Sequence, residues 1–329
     1  MTDAPARDAS ARTLVEGKGL SKWFEGRKGA PVRAVENVSF AIDEREVLGV
    51  VGESGSGKST LGRLALRLLE PSAGAMLFDG RDLAGLGATA LRRFRRNMQM
   101  VFQDPFASLN ARMTIGAALE EVIVLHHGVR RREARERART LLAQVGLAPA
   151  FLDRYPRACS GGQRQRIAIA RALAPDPRFI VADEPVSALD VSIQAEVLNL
   201  LAELKDRFGL TMMFISHDLS VVEIVSDRVM VLYLGRIMEI GPTADVYDRP
   251  RHPYTAALLS AAPGQMQSQA ARRRIVLQGE IPSPNTPPSG CVFRTRCPFA
   301  VSDCATRVPE LSAVAPRHLK ACIRDDIDV

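Results

Sequence analysis

A glycine-rich segment carries the clearest chemistry in the chain: Gly52-Glu53-Ser54-Gly55-Ser56-Gly57-Lys58-Ser59. It fits the pattern G-x-x-x-x-G-K-S/T, which binds phosphate when a strand precedes it and a helix follows it. Glycines allow consecutive N–H groups to point into one concavity, and the helix N-terminus adds its positive dipole end. Lys58 can then reach β- and γ-phosphates, and the Ser59 hydroxyl can bind Mg²⁺. A chance match in a glycine-rich turn is the alternative, and the strand–turn–helix context disfavours it.

Two acidic residues close a later apolar strand, in Val181-Ala182-Asp183-Glu184. Strand ends are where open α/β sheets bind ligands. Asp183 can hold Mg²⁺ through water, and Glu184 can orient and deprotonate an attacking water. Alone, two acids after a strand are an ordinary loop feature, but together with the phosphate loop they indicate a nucleotide-hydrolysing site.

Four of the five cysteines lie after residue 290, at Cys291, Cys297, Cys304 and Cys322. Their spacing matches neither a C-x2-C zinc pair nor the bacterial ferredoxin run. A reducing cytoplasm disfavours disulfides, whereas a metal or cluster would stabilise a segment with little core of its own. A metal or cluster, free thiols and disulfides all stay open, with His318 as a weak further ligand candidate that we otherwise expect at the surface.

The elements that must position these residues are short apolar strands that alternate with helical patterns. This alternation predicts an α/β fold with a parallel sheet covered on both faces. We predict strands over 46–51, 98–102, 179–182 and 212–215, helices over 61–69 and 191–208, and a hairpin over 229–240 that turns at Gly235-Arg236. Further helices over 114–126, 131–145 and 162–173 predict an inserted helical subdomain. From residue 262 the chain is rich in proline and cysteine, and we predict an extension there with little regular structure.

Composition restricts the class of protein. The chain has 329 residues, a formal charge of +7, 46% hydrophobic and 25% charged residues, as in globular proteins. No apolar run approaches the ~18 residues of a membrane-spanning helix, and the polar first 12 residues predict no secretory signal. The arginine runs at 92–96 and 130–139 lack interleaved aromatics, so we expect solvated helix faces and no nucleic-acid partner, with lipid headgroups as the alternative for the first run.

The order of the motifs resembles that of ABC transporter ATPases. After the phosphate loop come Gln103 in Val101-Phe102-Gln103-Asp104, the signature Ser160-Gly161-Gly162-Gln163, Asp183-Glu184, Ser187-Ala188-Leu189-Asp190 and Ser216-His217-Asp218. The segments 98–110, 182–194 and 252–259 (His-Pro-Tyr-Thr-Ala-Ala-Leu-Leu) and the cysteine-rich tail narrow the resemblance to ATPase subunits of oligopeptide and dipeptide importers. Cys159 replaces the Leu usual before the signature, and we expect only a modest loss of packing from it.

The resemblance implies the fold class and its divisions. These are a P-loop NTPase core with parallel sheet, an antiparallel β subdomain, an inserted helical subdomain over about 104–173 and an irregular extension. It implies a flexible N-terminus over 1–12, an ABC ATPase domain over 13–261 and an importer-type extension over 262–329.

The resemblance also implies the roles of individual residues. Phe24 stacks on adenine, with Trp23 as a substitute; Glu184 is the catalytic base, His217 contacts the γ-phosphate, and Gln103 senses Mg²⁺ and water. ATP and Mg²⁺ are the implied cofactors, with Ser59, Gln103 and Asp183 serving the metal. The remaining nucleotide contacts are Gly52, Ser54, Gly55, Ser56, Gly57, Lys58, Thr60, Ser160, Gly161, Gly162, Gln163 and Asp190. Some tails of this subfamily hold a four-iron four-sulfur cluster, which implies the same for Cys291, Cys297, Cys304 and Cys322.

The implied partners are a second ATPase subunit in a head-to-tail dimer, two membrane permease subunits and, indirectly, an extracytoplasmic solute-binding protein. The implied location is the cytoplasmic face of the cell membrane. Pro105, Phe106, Leu109 and the helix after them are the candidate permease-docking groove, with a plain core role as the alternative for Phe106 and Leu109. A soluble ABC ATPase without a permease and an interaction protein with a decayed site are the competing functions. Neither the solute nor the identity of the paired ATPase can be read from the sequence.

Overall fold

The computed structural model describes residues 12–26, 31–105, 108–261 and 275–327. Its strands are β1 Thr13–Phe24, β2 Val32–Asp43, β3 Val47–Val51, β4 Ala73–Phe78, β5 Arg81–Asp82, β6 Met98–Val101, β7 Phe179–Asp183, β8 Thr211–Ile215, β9 Arg228–Tyr233, β10 Arg236–Pro242, β11 Ser312–Ala315 and β12 His318–Lys320. Its helices are α1 Lys58–Ala65, α2 Ala88–Phe94, α3 Ile115–His127, α4 Arg131–Gln144, α5 Gly161–Leu173, α6 Val191–Phe208, α7 Leu219–Val225, α8 Thr243–Asp248 and α9 Pro253–Ala261. The mixture of parallel and antiparallel strands with helices confirms the predicted α/β class.

The chain divides into two compact units, of which the first joins the residues up to Ala84 with those from Ser216 onward. One sheet of this unit is antiparallel, in the order β2-β1-β4-β5, and corresponds to the predicted antiparallel subdomain. The other contains the order β11-β12-β10-β9-β3, in which β3 and β9 run parallel. All five residues of β3 are buried, as expected for a strand covered on both faces.

The second unit, Gly85–Ile215, contains the parallel strands β6, β7 and β8 in that order. Every residue of β7 and β8 is buried, so these strands form the core of the unit. Helices α3, α4 and α5 pack on one another within the span predicted as a helical subdomain. The predicted domain boundaries themselves stay a prediction.

Three local expectations need correction. Helix α1 begins at Lys58 and ends at Ala65 instead of Leu69, because Arg67 adopts a left-handed backbone with φ 52°. The extension contains the strands β11 and β12, and β12 pairs antiparallel with β10. His318 was expected at the surface, but it is 2% exposed because it lies on that paired strand.

The charged helix α4 has a solvated face, as predicted, and this face carries ion pairs. Arg139 pairs with Glu136 at 3.1 Å, and Arg137 pairs with Glu133 at 2.9 Å. Among the helices in the described part of the chain, none combines the length and apolar character needed to cross a membrane. The predicted flexible N-terminus lies outside the described residues, except for Arg12.

Candidate functional site

The phosphate loop joins β3 to α1, as the sequence pattern requires. Gly57 is the N-cap of α1 with φ 101°, a left-handed conformation that favours glycine. A Cβ atom at Gly57 would lie 2.2 Å from the Ala34 carbonyl oxygen, and one at Gly52 would lie 2.2 Å from that of Leu232. The backbone is therefore packed closely at both ends of the loop, where no side chain fits. Ser54, Gly55 and Ser56 lie between them, and Ser59 and Thr60 lie in the first turn of α1.

Lys58 lies inside this loop and is 5% exposed. Its Nζ donates to the carbonyl oxygens of Gly52 at 2.7 Å and Glu53 at 3.1 Å. The buried Ser56 hydroxyl has no hydrogen-bond partner among the described residues. An ammonium, a helix N-terminus and a hydroxyl without a hydrogen-bond partner among the described residues fit a phosphate group.

The Glu53 side chain is held by residues from the far end of the sequence. Arg296 donates to its two carboxylate oxygens at 2.6 and 3.0 Å, and the Tyr254 hydroxyl donates to it at 3.3 Å. The Glu53 N–H also donates to the Tyr254 hydroxyl at 3.1 Å. Sequence reasoning assigned no role to these residues, and the only signal was that Tyr254 lies in the 252–259 segment.

His217 follows in a short turn of the same unit. The Ser216 N–H donates to the Val50 carbonyl at 3.1 Å, which ties this turn to the strand that enters the phosphate loop. Asp218 caps α7 by accepting from the Ser220 N–H at 2.9 Å. His217 is exposed between these fixed points. The structure therefore presents the imidazole of His217 on the unit that carries the phosphate loop.

Phe24 ends β1 and is 38% exposed, with Lys22 Nζ 5.3 Å from its ring centroid. The neighbouring Trp23 is committed elsewhere, because its indole N–H donates to Glu36 at 2.7 Å. An exposed ring can stack on a base. Both rings are exposed, Trp23 at 42%, so the adenine contact of Phe24 stays a prediction.

In the second unit, Gln103 and Glu184 meet. The Gln103 amide donates to a Glu184 carboxylate oxygen at 3.1 Å, although the two residues lie after different strands. Glu184 has φ 48°, and its N–H donates to the Ile215 carbonyl at 2.9 Å. A left-handed glutamate held by its backbone is a conformation that tends to occur at functional sites. Asp183 precedes it at the end of β7 and is 4% exposed.

The signature segment begins α5. Ser160 is the N-cap and accepts from the Gln163 N–H at 3.3 Å, while the Gln163 side chain accepts from the Ser160 N–H at 3.0 Å. This reciprocal capping box fixes the helix start and leaves Ser160 and Gly161 exposed. A Cβ atom at Gly162 would lie 2.5 Å from Cγ2 of Ile193, so a larger residue does not fit between α5 and α6. Asp190 is exposed at the N-cap of α6.

Cys159, which departs from the usual Leu, is 4% exposed, and burial raises the pKa of its thiol. Its Sγ lies 3.7 Å from the Tyr155 carbonyl oxygen. The residue therefore packs as a small buried side chain, and the modest effect expected of it stays a prediction.

The four cysteines of the extension line one cavity together with Phe293 and Phe299. Burial raises the pKa of Cys291, Cys297 and Cys322, that of Cys297 to about 11, and the other thiols of the group contribute. Among the described residues, no group of three or more His, Cys, Asp or Glu side chains is arranged to hold a metal ion. His252 also lines the cavity, and burial lowers its pKa to about 3.

Comparison with known proteins shows similarity over nearly the whole chain. Residues 35–187 match the family "ABC transporter", and residues 238–304 match "Oligopeptide/dipeptide transporter, C-terminal region". A Brucella ovis protein described as a peptide import ATP-binding protein is 59% identical over 95% of this chain and 98% of its own length. The Bacillus subtilis oligopeptide transport ATP-binding protein AppF is 52% identical over the same shares.

Solved structures show the same fold. A dimeric ATP-binding cassette in a post-hydrolysis state with ADP and Pi has a TM-score of 0.64 and 31% identity, covering 70% of this chain and 99% of that one. CbiO1 from Clostridium perfringens, part of an ABC transporter complex, also has a TM-score of 0.64, at 26% identity, covering 72% of this chain and 91% of that one.

Proposed function

We infer that this chain binds and hydrolyses ATP to power peptide uptake through a membrane permease. The chain belongs to the ABC transporter ATPases and carries the C-terminal region of oligopeptide and dipeptide transporters. The observation that carries this inference is the 59% identity with a peptide import ATP-binding protein over 95% of the chain. A soluble ATPase without a permease is not favoured, because the match includes the transporter-specific C-terminal region.

We assign phosphate binding to the glycine-rich loop. Lys58 exchanges the carbonyl oxygens of Gly52 and Glu53 for phosphate oxygens, so its buried charge stays paired in both states. The backbone N–H groups and the Ser54, Ser56 and Thr60 side chains line the phosphate site, Phe24 stacks on the adenine, and His217 contacts the γ-phosphate. The exclusion of side chains at Gly52 and Gly57 supports the assignment.

Glu184 acts as the general base. Its carboxylate accepts a proton from the attacking water as the water oxygen bonds to the γ-phosphorus and the bond to ADP breaks. The Gln103 amide donates to a Glu184 carboxylate oxygen, so it can hold the carboxylate in the orientation that receives the proton. The contact at 3.1 Å supports this pairing of base and orienting group.

Mg²⁺ is the metal that suits these donors. Ser59, Gln103 and Asp183 offer hydroxyl, amide and carboxylate oxygens, which are hard ligands of the kind Mg²⁺ prefers. When bound, Mg²⁺ neutralises charge on the phosphates. Asp183 is the last residue of β7, at a strand end of the kind where open α/β sheets bind ligands.

The proposed partners are a second ATPase subunit and two permease subunits, served by an extracytoplasmic solute-binding protein. The exposed Ser160 and Gly161, with Gly162 and Gln163, contact the γ-phosphate held by the second subunit, and Asp190 packs at the same dimer interface. Such a dimer operates at the cytoplasmic face of the cell membrane.

The residues of the candidate permease-docking groove differ in their exposure. Leu109 is 5% exposed, which favours the core alternative for it, whereas Leu125 on α3 is 71% exposed. Phe106 lies outside the described residues. We therefore place the permease contact on α3 and the Gln103 segment without Leu109.

A four-iron four-sulfur cluster is the cofactor we propose for the extension. The four thiols line one cavity, and four cysteine thiolates are the usual ligand set of such a cluster. When bound, the cluster supplies positive charge that stabilises the thiolates and cross-links the extension. Iron and sulfide analysis of anaerobically purified protein tests this: Cys304→Ser loses iron and Cys159→Ser keeps it, whereas iron-free wild-type protein contradicts the proposal.

Uptake into vesicles tests the function as a whole. Proteoliposomes containing the chain, its co-purifying permease and the solute-binding protein accumulate labelled peptide only with internal ATP and Mg²⁺. Accumulation without ATP, or failure with every peptide while ATP is hydrolysed, would show that the proposed coupling to peptide uptake is wrong.

A further inference from the structure

Glu53 is a residue of the phosphate loop whose side chain contacts a distant part of the same unit. Its main-chain carbonyl accepts from Lys58 at 3.1 Å, and its side chain points away to Arg296 and Tyr254. A shift of Glu53 therefore moves one acceptor of the lysine that binds phosphate. Fixing the Glu53 side chain fixes the entrance of the loop.

Arg296 makes the strongest contact to Glu53. Its side chain is 7% exposed, and its guanidinium donates to the carboxylate through two bonds of 2.6 and 3.0 Å, a pairing that raises the pKa of Arg296. Bidentate, charge-assisted bonds are both stronger and more directional than neutral ones. Because both outer guanidinium nitrogens bind Glu53, Arg296 is placed to act on the loop and not on a nucleotide directly.

The turn that carries Arg296 is held in place by aromatic packing. Phe293, in the same turn of the extension, is 1% exposed and packs edge-on against Tyr233 with centroids 5.3 Å apart. It also contacts Tyr254 at 5.2 Å, and the Arg296 guanidinium lies 5.9 Å from the Tyr233 ring centroid. Aromatic packing of this kind holds the two residues that contact Glu53 in one orientation.

We propose that Arg296 is a positioning residue for the phosphate loop, acting through Glu53, so that nucleotide affinity depends on the docked C-terminal extension. The proposal rests on the ATP binding inferred above. Tyr254 supports it by holding both the N–H and the carboxylate of Glu53.

The direction in which a Glu53 substitution changes nucleotide affinity distinguishes a positioning role from a purely electrostatic one. Glu53 is an anion in a loop that binds triphosphate, so removing its charge should tighten binding if only long-range electrostatics mattered. If its bond to Arg296 positions the loop, Glu53→Ala should weaken binding instead.

The test is a titration of the full-length chain with a fluorescent ATP analogue and Mg²⁺. We expect Arg296→Ala and Glu53→Ala each to raise the Kd about tenfold. The Kd of the double variant should exceed that of either single variant by no more than about twofold, because both substitutions remove the same contact. Arg296→Lys keeps the positive charge but cannot make the two parallel bonds of the guanidinium, so its Kd should lie between those of wild type and Arg296→Ala. Arg294→Ala, two residues away and bonded to Ser289, is the matched control and should bind as wild type does.

ATP hydrolysis by the assembled transporter gives a second reading. A positioning role raises the KM for ATP while kcat changes by less than about twofold. Tighter binding by Glu53→Ala, unchanged binding by Arg296→Ala, or fully additive losses would each overturn the proposal. If Arg296→Ala does not fold, Arg296→Lys and Glu53→Ala decide alone, and a wild-type chain that binds no nucleotide would refute the inferred function instead.

Discussion

At the scale of single residues, the chemistry of the second unit depends on the contact between Gln103 and Glu184. Both residue types were predicted from their motifs, but their hydrogen bond at 3.1 Å was not, because they are 81 positions apart. Nor does the sequence show the left-handed backbone of Glu184, since a glutamate has no intrinsic preference for it. The identity of a site residue follows from local spacing, whereas its partner follows from the fold.

Removing the orienting amide tests this contact. In Gln103→Ala, we expect kcat for ATP hydrolysis to fall about tenfold with the KM for ATP nearly unchanged, because Glu184 remains but is no longer oriented. Steady-state phosphate release by the assembled transporter measures both constants. Gln99→Ala is the control, since the Gln99 amide donates to the Arg95 carbonyl and not to Glu184. An unchanged kcat in Gln103→Ala would remove the orienting role.

At the scale of elements, prediction succeeded for the long helix α6 but missed the strand β2 and the end of α1. Helix α6 has the predicted bounds, Val191–Phe208, because its apolar stripe runs along its length. The strand β2 was missed, although Val38, Phe40 and Ile42 alternate with exposed or half-buried residues. The end of α1 could not be predicted, because the left-handed Arg67 that follows it is not a residue type that signals a stop.

The packing of α5 on α6 yields a prediction whose sign is unusual. Gly→Ala ordinarily stabilises a helix, by about 1 kcal/mol. We expect Gly162→Ala to lower the free energy of unfolding by about 1–3 kcal/mol, since its Cβ would lie 2.5 Å from Ile193 Cγ2. Urea unfolding followed by circular dichroism measures the change.

Two variants control that experiment. Ile193→Ala removes the clashing methyl, so Gly162→Ala should cost little in that background. Gly161→Ala places its Cβ 3.3 Å from the outer Leu189 Cδ2 and should be tolerated better. Equal losses in Gly161→Ala and Gly162→Ala would contradict the packing argument.

The strand β12 joins the extension to its unit through a buried carboxylate. Glu239 is 0% exposed and accepts from the N–H groups of Arg251 and His252, while His318 Nε2 lies 2.7 Å from the same carboxylate. We expect His318→Ala to lower the free energy of unfolding by about 3 kcal/mol, because it removes a buried hydrogen bond and leaves a cavity. Chemical unfolding measures this against Arg307→Ala, which changes an exposed side chain of the extension. A loss no larger than that of the control would show that the pair is not stabilising.

At the scale of the whole molecule, the extension is an integral part of the first unit. The prediction of an irregular appendage captured its composition but not its attachment through β12 and through Arg296, which contacts a residue 243 positions earlier. Local sequence patterns do not reveal a partner that lies far away in the sequence. Composition alone therefore predicted a loosely structured tail. The comparisons with peptide import ATP-binding proteins span both this region and the ATPase motifs, which joins them in one function.

The rate of phosphate release by the assembled transporter tests the central claim most directly. With Mg²⁺, ATP and the peptide-loaded binding protein, the wild-type complex should hydrolyse ATP faster than without peptide. The Glu184→Gln complex should bind ATP equally well but hydrolyse it at least about 100-fold more slowly, since it lacks the base. Glu196→Gln, an exposed carboxylate of α6, should behave as wild type. Undiminished hydrolysis by Glu184→Gln, or a wild-type complex that releases no phosphate with peptide present, would contradict the account.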